Sequence, residues 1–200
     1  MLGLPSSDVT DAIDLLRRDH EAVEDLFDQL EDARESENDE EMATLVASVC
    51  SALTVHAQIE EELFYPAIRQ LPEAADMVDE AAVEHQMIKD LVAQLEAMHP
   101  GDDLFEAKVT VLSEYVKHHV KEEEGEIFPE AKDSDIDLEA LGKKLAVRKT
   151  ELAGEPGAAP PARKSATATK RHARASSRAK TSSRKSARKK KSSQDGLRNR

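Results

Sequence analysis

The chain has 200 residues, 39% of them hydrophobic and only 3% aromatic, with a formal net charge of −13. That composition supports one aliphatic core of the kind helices build and argues against a large β-sandwich. No run approaches ~18 consecutive apolar residues, no basic segment followed by an apolar run opens the chain, and the single cysteine, Cys50, cannot form an internal disulfide. The expectation is a cytoplasmic protein without membrane contact, with Cys50 as a small buried residue.

The charge is unevenly placed. Residues 163–200 hold 15 of the 28 Lys and Arg and one acid, Asp195, leaving 13 bases against 40 acids before them. The chain therefore divides into a folded acidic portion, residues 1–152, and residues 153–200, which are Pro/Ala-rich and then rich in Lys, Arg, Ser and Ala. The second part cannot bury enough apolar area to fold alone and is expected to be a disordered basic tail.

Hydrophobic spacing predicts five helices. The first starts at Thr10, an N-cap residue type, and runs to about Arg34. Ser36 to Asp39 break it. The second covers about 40–69 and stops at Leu71-Pro72. The third covers 73–98 and ends at His99-Pro100-Gly101. The fourth covers 103–131, and a shorter fifth covers 137–152. The fold class expected is all-α, an up-down-up-down four-helix bundle with a short fifth helix.

Each apolar stripe carries an interruption. On the first helix Leu16, His20, Val23, Phe27 and Leu30 step by 4, 3, 4 and 3. The same rhythm runs through Val49, Leu53, His56, Glu60 and Leu63, through Ala81, His85, Ile88 and Val92, and through Leu112, Val116, His119 and Glu123. An uncompensated carboxylate on such a stripe costs several kcal/mol, and a metal ion is the simplest compensation.

The interruptions belong to a duplication. His56-Ala-Gln-Ile-Glu60-Glu-Glu-Leu-Phe-Tyr-Pro66 repeats as His119-Val-Lys-Glu-Glu123-Glu-Gly-Glu-Ile-Phe-Pro129, and Asp19-His20 as Glu84-His85. In an antiparallel bundle, residues equidistant from the connecting loop share a level. His20 and His56 centre on Asn38, His56 and His85 on Gln70–Leu71, and His85 and His119 on Asp102. All four histidines are thus expected at one height, facing inward, with Glu60 and Glu123 about 6 Å along. Imidazole with carboxylate suits iron, manganese or zinc. Six ligands are too many for one tetrahedral zinc. They fit two ions, each held by two histidines and bridged by the two glutamates.

This residue set resembles the hemerythrin family, specifically the bacterial HHE cation-binding domains, over about residues 8–150. Four motifs carry the likeness: Asp19-His20-Glu21, His56-xxx-Glu60-Glu61, Glu84-His85 and His119-xxx-Glu123-Glu124. The resemblance implies two iron ions per chain in an oxo- or hydroxo-bridged centre that meets O2, peroxide or NO. By it His20 and His56 hold one iron, His85 and His119 the other, and Glu60 and Glu123 bridge. Oxygen-carrying hemerythrins have a further histidine one turn after the third-helix histidine. Here that position is Lys89, and the matching position on the first helix is Glu24. Catalase-like chemistry in oxidative or nitrosative stress is therefore expected ahead of oxygen carriage. Glu24 and Lys89 are candidates for an extra ligand or an outer hydrogen-bond partner. Glu124 rivals Glu123, because the fourth-helix carboxylate of hemerythrins sits five residues after its histidine; the stripe favours Glu123.

The remaining candidates read more simply. His118 with Glu122 suits a solvated ion pair, His99 a helix end, and Tyr115 a core position. The tail suits non-specific phosphate contact through residues 163–200. The alternative function is a non-catalytic sensor of iron, oxygen or NO, or an iron-binding module, whose tail contacts nucleic acid. A monomer or weak oligomer is expected.

Overall fold

The computed structural model describes residues 11–154; the expected Thr10 cap and residues 155–200 of the expected tail lie outside the described residues. Among the described residues the fold is all-helical, with no strand. Helix α1 is Ala12–Glu35, capped by Asp11, whose side chain accepts the Asp14 N–H at 2.9 Å. After three residues α2 spans Asp39–Ile68. Asn38 caps it by accepting the Glu41 N–H, and Asp39, Glu40 and Glu41 sit against the positive end of its dipole. Helix α3 is Ala75–Leu95, shorter at both ends than the stripe suggested. Helix α4 begins at Phe105 behind Leu104, whose φ of 68° turns the chain without a side-chain cap. It runs through Phe105–Glu122 and Glu123–Ile127 into Phe128–Lys132. Helix α5 is Leu138–Gly154.

Helices α1 and α2 form one packed hairpin and α3 and α4 a second; α2 also meets α3, and α5 lies on α1 and α2. Gly142 lets α5 come close. A Cβ there would stand 2.6 Å from the backbone carbon of Asp11. One apolar cluster gathers Ile13, Leu16, Ile59, Phe64, Ile68, Phe128 and Leu145. Another gathers Phe27, Leu30, Val49, Leu53, Ile88, Phe105 and Leu112, with Cys50 buried among them. The four histidines stand between the residues of these clusters along α1 to α4, so a polar layer divides the core.

Two observations differ from the sequence reading. By length and composition α2 could cross a membrane, with a mean hydropathy of 1.5 over its best window, although half that window is buried inside the fold. Polar residues punctuate the helix, so no unbroken apolar run marks it in the sequence. The second difference is a π-helical turn in each long helix, at Glu60–Phe64 and Glu123–Ile127. The Tyr65 N–H bonds to the Glu60 carbonyl and the Phe128 N–H to the Glu123 carbonyl, each five residues back. Pro66 and Pro129 follow directly. A proline donates no hydrogen bond and its ring clashes with the carbonyl four residues back, so a locally widened turn relieves both. The extra residue shifts the inward face: after Glu60 the fully buried side chain is Phe64, while Leu63, expected on the stripe, is only half-buried.

Candidate metal centre

His20, His56, His85 and His119 turn their Nε2 atoms toward one another. His20 and His56 approach to 3.2 Å, His85 and His119 to 3.1 Å. Glu60 and Glu123 enter the same space. Glu60 Oε2 lies 3.2 Å from His56 Nε2 and 3.3 Å from His85 Nε2. Glu123 Oε2 lies 3.3 Å from His20 Nε2 and 3.9 Å from His119 Nε2. Each glutamate therefore spans both hairpins. Potential ligand atoms of His20, His56, Glu60 and Glu123 fall within 4.8 Å of one another, as do those of Glu60, His85 and His119.

The outer nitrogens face a closed ring of carboxylates, three of which they meet at hydrogen-bond distance. Asp19 of α1 faces His56 Nδ1 of α2 at 3.6 Å. Glu61 of α2 faces His85 Nδ1 of α3 at 3.1 Å. Glu84 of α3 faces His119 Nδ1 of α4 at 2.9 Å, and Glu124 of α4 returns to His20 Nδ1 of α1 at 2.9 Å. Each helix thus gives one histidine inward and one carboxylate to the histidine of the next. An Nδ1–H donated to a carboxylate leaves the Nε2 lone pair pointing inward, the tautomer a metal needs. Every ring carboxylate has a basic side chain behind it: Lys149 on Asp19, Lys89 on Glu61 at 2.5 Å, His118 on Glu84 at 3.4 Å and Arg17 on Glu124 at 3.5 Å.

The inner atoms fit a cation. Glu60 is 0% and Glu123 1% exposed. None of their four carboxylate oxygens makes a hydrogen bond among the described residues. Their approaches to imidazole nitrogens satisfy distance without hydrogen-bond alignment. Two buried carboxylates in that state cost several kcal/mol unless positive charge stands between them. In the ion-free protein protons take that role. Burial lowers His56, but the Glu60 charge and the facing carboxylates of Asp19 and Glu60 outweigh it and raise it to about 10. His20 and His85 are also raised, because the close carboxylates of Glu123 and Glu60 respectively outweigh burial. Glu60 is pulled down against its burial by the His56 charge, while burial and the Glu60 charge push Glu123 up.

The hemerythrin HHE cation-binding domain matches residues 11–131, more than half of the chain. The chain belongs to the hemerythrin HHE cation-binding family. It is 29% identical over 148 residues to the protein Rv2633c of Mycobacterium tuberculosis, covering 72% of this chain and 89% of that one. A crystal structure of the Rv2633c homologue from Mycobacterium kansasii, an HHE cation-binding domain-containing protein, superposes with a TM-score of 0.62 at 27% identity, over 72% of this chain and 88% of that one. A DNA nickase of Nostoc sp. strain PCC 7120 is 31% identical over 115 residues, 58% of this chain. This chain covers only 32% of that relative's length.

Within this HHE domain the structure brings His20, His56, Glu60, His85, His119 and Glu123 into one layer. Glu124 stays outside it, on the far nitrogen of His20. Lys89 reaches Glu61 and not the layer. Glu24 is exposed and lines a surface groove of about 560 Å³ beside Arg17, His20 and Lys121. His118 pairs with Glu122 at 3.1 Å, and Tyr115 is 38% exposed, away from the core position expected. Sequence reasoning missed Tyr65, whose buried hydroxyl lies 3.3 Å from His85 Nε2. The signal was present: Tyr65 carries the one hydroxyl of the first repeat, and its counterpart, Phe128, has none. A void of about 20 Å³ beside the histidines, walled by Val23, Leu53, Ile88, Val116 and Val120, has room for one small molecule.

Proposed function

We propose that this HHE protein holds two iron ions and uses them to bind or react with O2, peroxide or NO, with catalase-like breakdown of peroxide as its preferred activity. The observation that carries the reading is the pair of fully buried, hydrogen-bond-free glutamates, each reaching a histidine of both hairpins. Bound iron supplies electron transfer by cycling between ferrous and ferric states, which bridging carboxylates tolerate. The rest is done by the chain. His20 and His56 would hold one ion and His85 and His119 the other, with Glu60 and Glu123 lying between the two pairs. The carboxylate ring orients the imidazoles, and the apolar void beside them admits a small ligand while excluding bulk water. The reading takes α1 to α4 as an up-down-up-down bundle, supported by the three-residue link after α1 and the shared height of the histidines. It places the protein in the cytoplasm as a monomer or weak oligomer.

Elemental analysis with an absorption spectrum tests it, on the wild type and on His56→Ala and Glu60→Ala. About two irons per chain, lost in both variants, is the expected result; a wild type that binds no iron would end the reading. Rapid oxygen evolution from peroxide by the iron-loaded protein supports catalysis. A stable spectral change without turnover favours a sensor instead.

A second reading adds nucleic-acid contact through residues 163–200. Its support is their 15 bases against one acid and the name of one relative, a DNA nickase. Phosphate contacts of this kind weaken steeply with salt. Deletion of residues 163–200 should abolish retention on DNA at low salt, and unchanged retention would rule the reading out.

A further inference from the structure

Helix α5 lies outside the residues that match the family, 11–131, yet two adjacent side chains on it reach the first hairpin. Arg148 donates through Nε to Glu62 Oε2 at 2.7 Å, on the exposed side of the α2 π turn. Lys149 donates to Asp19 Oδ1, and Asp19 Oδ2 faces His56 Nδ1. The other three ring carboxylates take their basic partners from α1, α3 and α4, in Arg17, Lys89 and His118. The Asp19 position alone depends on a residue beyond those helices.

We propose that Lys149 is a positioning residue for the His20/His56 end of the metal centre, acting through Asp19 on His56. The inference rests on the two-ion reading above. Three observations converge on it. Asp19 is 9% exposed, so its charge needs a partner. Asp19 Oδ2 and His56 Nδ1 face each other at 3.6 Å without a hydrogen bond, unlike the other three ring pairs at 2.9–3.1 Å, so their contact depends on Asp19 being held in place. And Asp19 and Lys149 together line a surface groove of about 810 Å³ that also runs past Ala47, Ser48 and Ser51. Water in that groove competes for the Asp19 carboxylate once the ammonium is gone. His56 then loses the carboxylate charge that faces its Nδ1. Removing such an outer partner lowers metal affinity by about 10–100-fold, and here it does so at one ion of the two.

The test is chelator challenge of the iron-loaded full chain, following iron content, absorption spectrum and helical circular dichroism together. Lys149→Gln should release about one iron per chain at least tenfold faster than wild type, keep the second, and retain its helicity; Lys149→Arg should restore wild-type release. Arg148→Gln is the control, because Arg148 also ties α5 to α2 but through Glu62, which is no part of the ring. Wild-type release from Arg148→Gln supports the proposal. Equal acceleration in Lys149→Gln and Arg148→Gln would assign the effect to α5 docking alone and overturn it, as would unchanged release from Lys149→Gln. A wild type that never binds iron would instead fail the two-ion reading itself, so the two failures are distinguishable.

Discussion

The two helical hairpins carry the same inner side chains and different surroundings. His20, His56 and Glu60 of the first match His85, His119 and Glu123 of the second, and all six are buried. Around them the halves diverge. Asp19 of the first is backed by Lys149 from α5, while Glu84, its counterpart, is backed by His118 from within the second hairpin. Tyr65 places a hydroxyl at His85, while Phe128 stacks its ring on His20 at 5.9 Å, nearly parallel. Glu24 stands where the second hairpin has Lys89, so Glu124 draws its cation from Arg17 instead. The difference teaches where duplication is constrained. Atoms that share one buried space must keep both type and reach, whereas groups that act through another side chain need only supply charge of the right sign. The two histidine pairs are therefore equivalent in candidate ligands and inequivalent in surroundings.

Breaking the inner equivalence has the largest expected effect. His56→Ala and its counterpart His119→Ala should each lose iron by far more than tenfold, since each leaves buried glutamate uncompensated. Elemental analysis of both variants checks it; retention in either one would show that its hairpin is dispensable. Next comes the close packing of the first hairpin against α5. Gly142→Ala drives a methyl into the Asp11 backbone and should cost about 1–3 kcal/mol in urea denaturation. Gly125→Ala, in the π turn of the second hairpin where a Cβ meets nothing within 4 Å, should be neutral or stabilising by up to ~1 kcal/mol.

The pH response of the ion-free chain sharpens the comparison. His56 is raised to about 10 in the fold against about 6.5 unfolded. Its stabilisation is fully present below pH ~6.5 and is lost as pH rises through about 10. His20 and His85, also raised, add in the same direction. The thermal midpoint of the ion-free protein should fall between pH 6.5 and 10. Iron affinity should move the opposite way, because fewer protons remain to be displaced at higher pH; a midpoint that rises across this window would contradict the pairing of these imidazoles with Glu60 and Glu123. The smallest effect is expected from exchanging the aromatic pair. Tyr65→Phe should keep both irons and change stability by less than ~1.5 kcal/mol, but alter the absorption spectrum through the His85/His119 ion. An unchanged spectrum would show that the hydroxyl does not sense the metal.

Cys50 shows what needed no tertiary information: it is buried in α2, as its residue type suggested. The helices, the inward stripes and the common height of the four histidines were equally legible, because helical rise and period are fixed and loops only reverse direction. Leu63 marks where that legibility stopped. Its assignment assumed an unbroken α-helix, and Pro66 instead imposed a π turn that moved Phe64 into the core and Tyr65 to His85. The helix-to-helix ring of carboxylates, and Lys149 reaching Asp19 from 130 residues away, were likewise decided only in three dimensions. Periodicity reports which way a side chain points from its own helix, but whether it meets a partner depends on how far two separate elements approach, and that distance is set by packing.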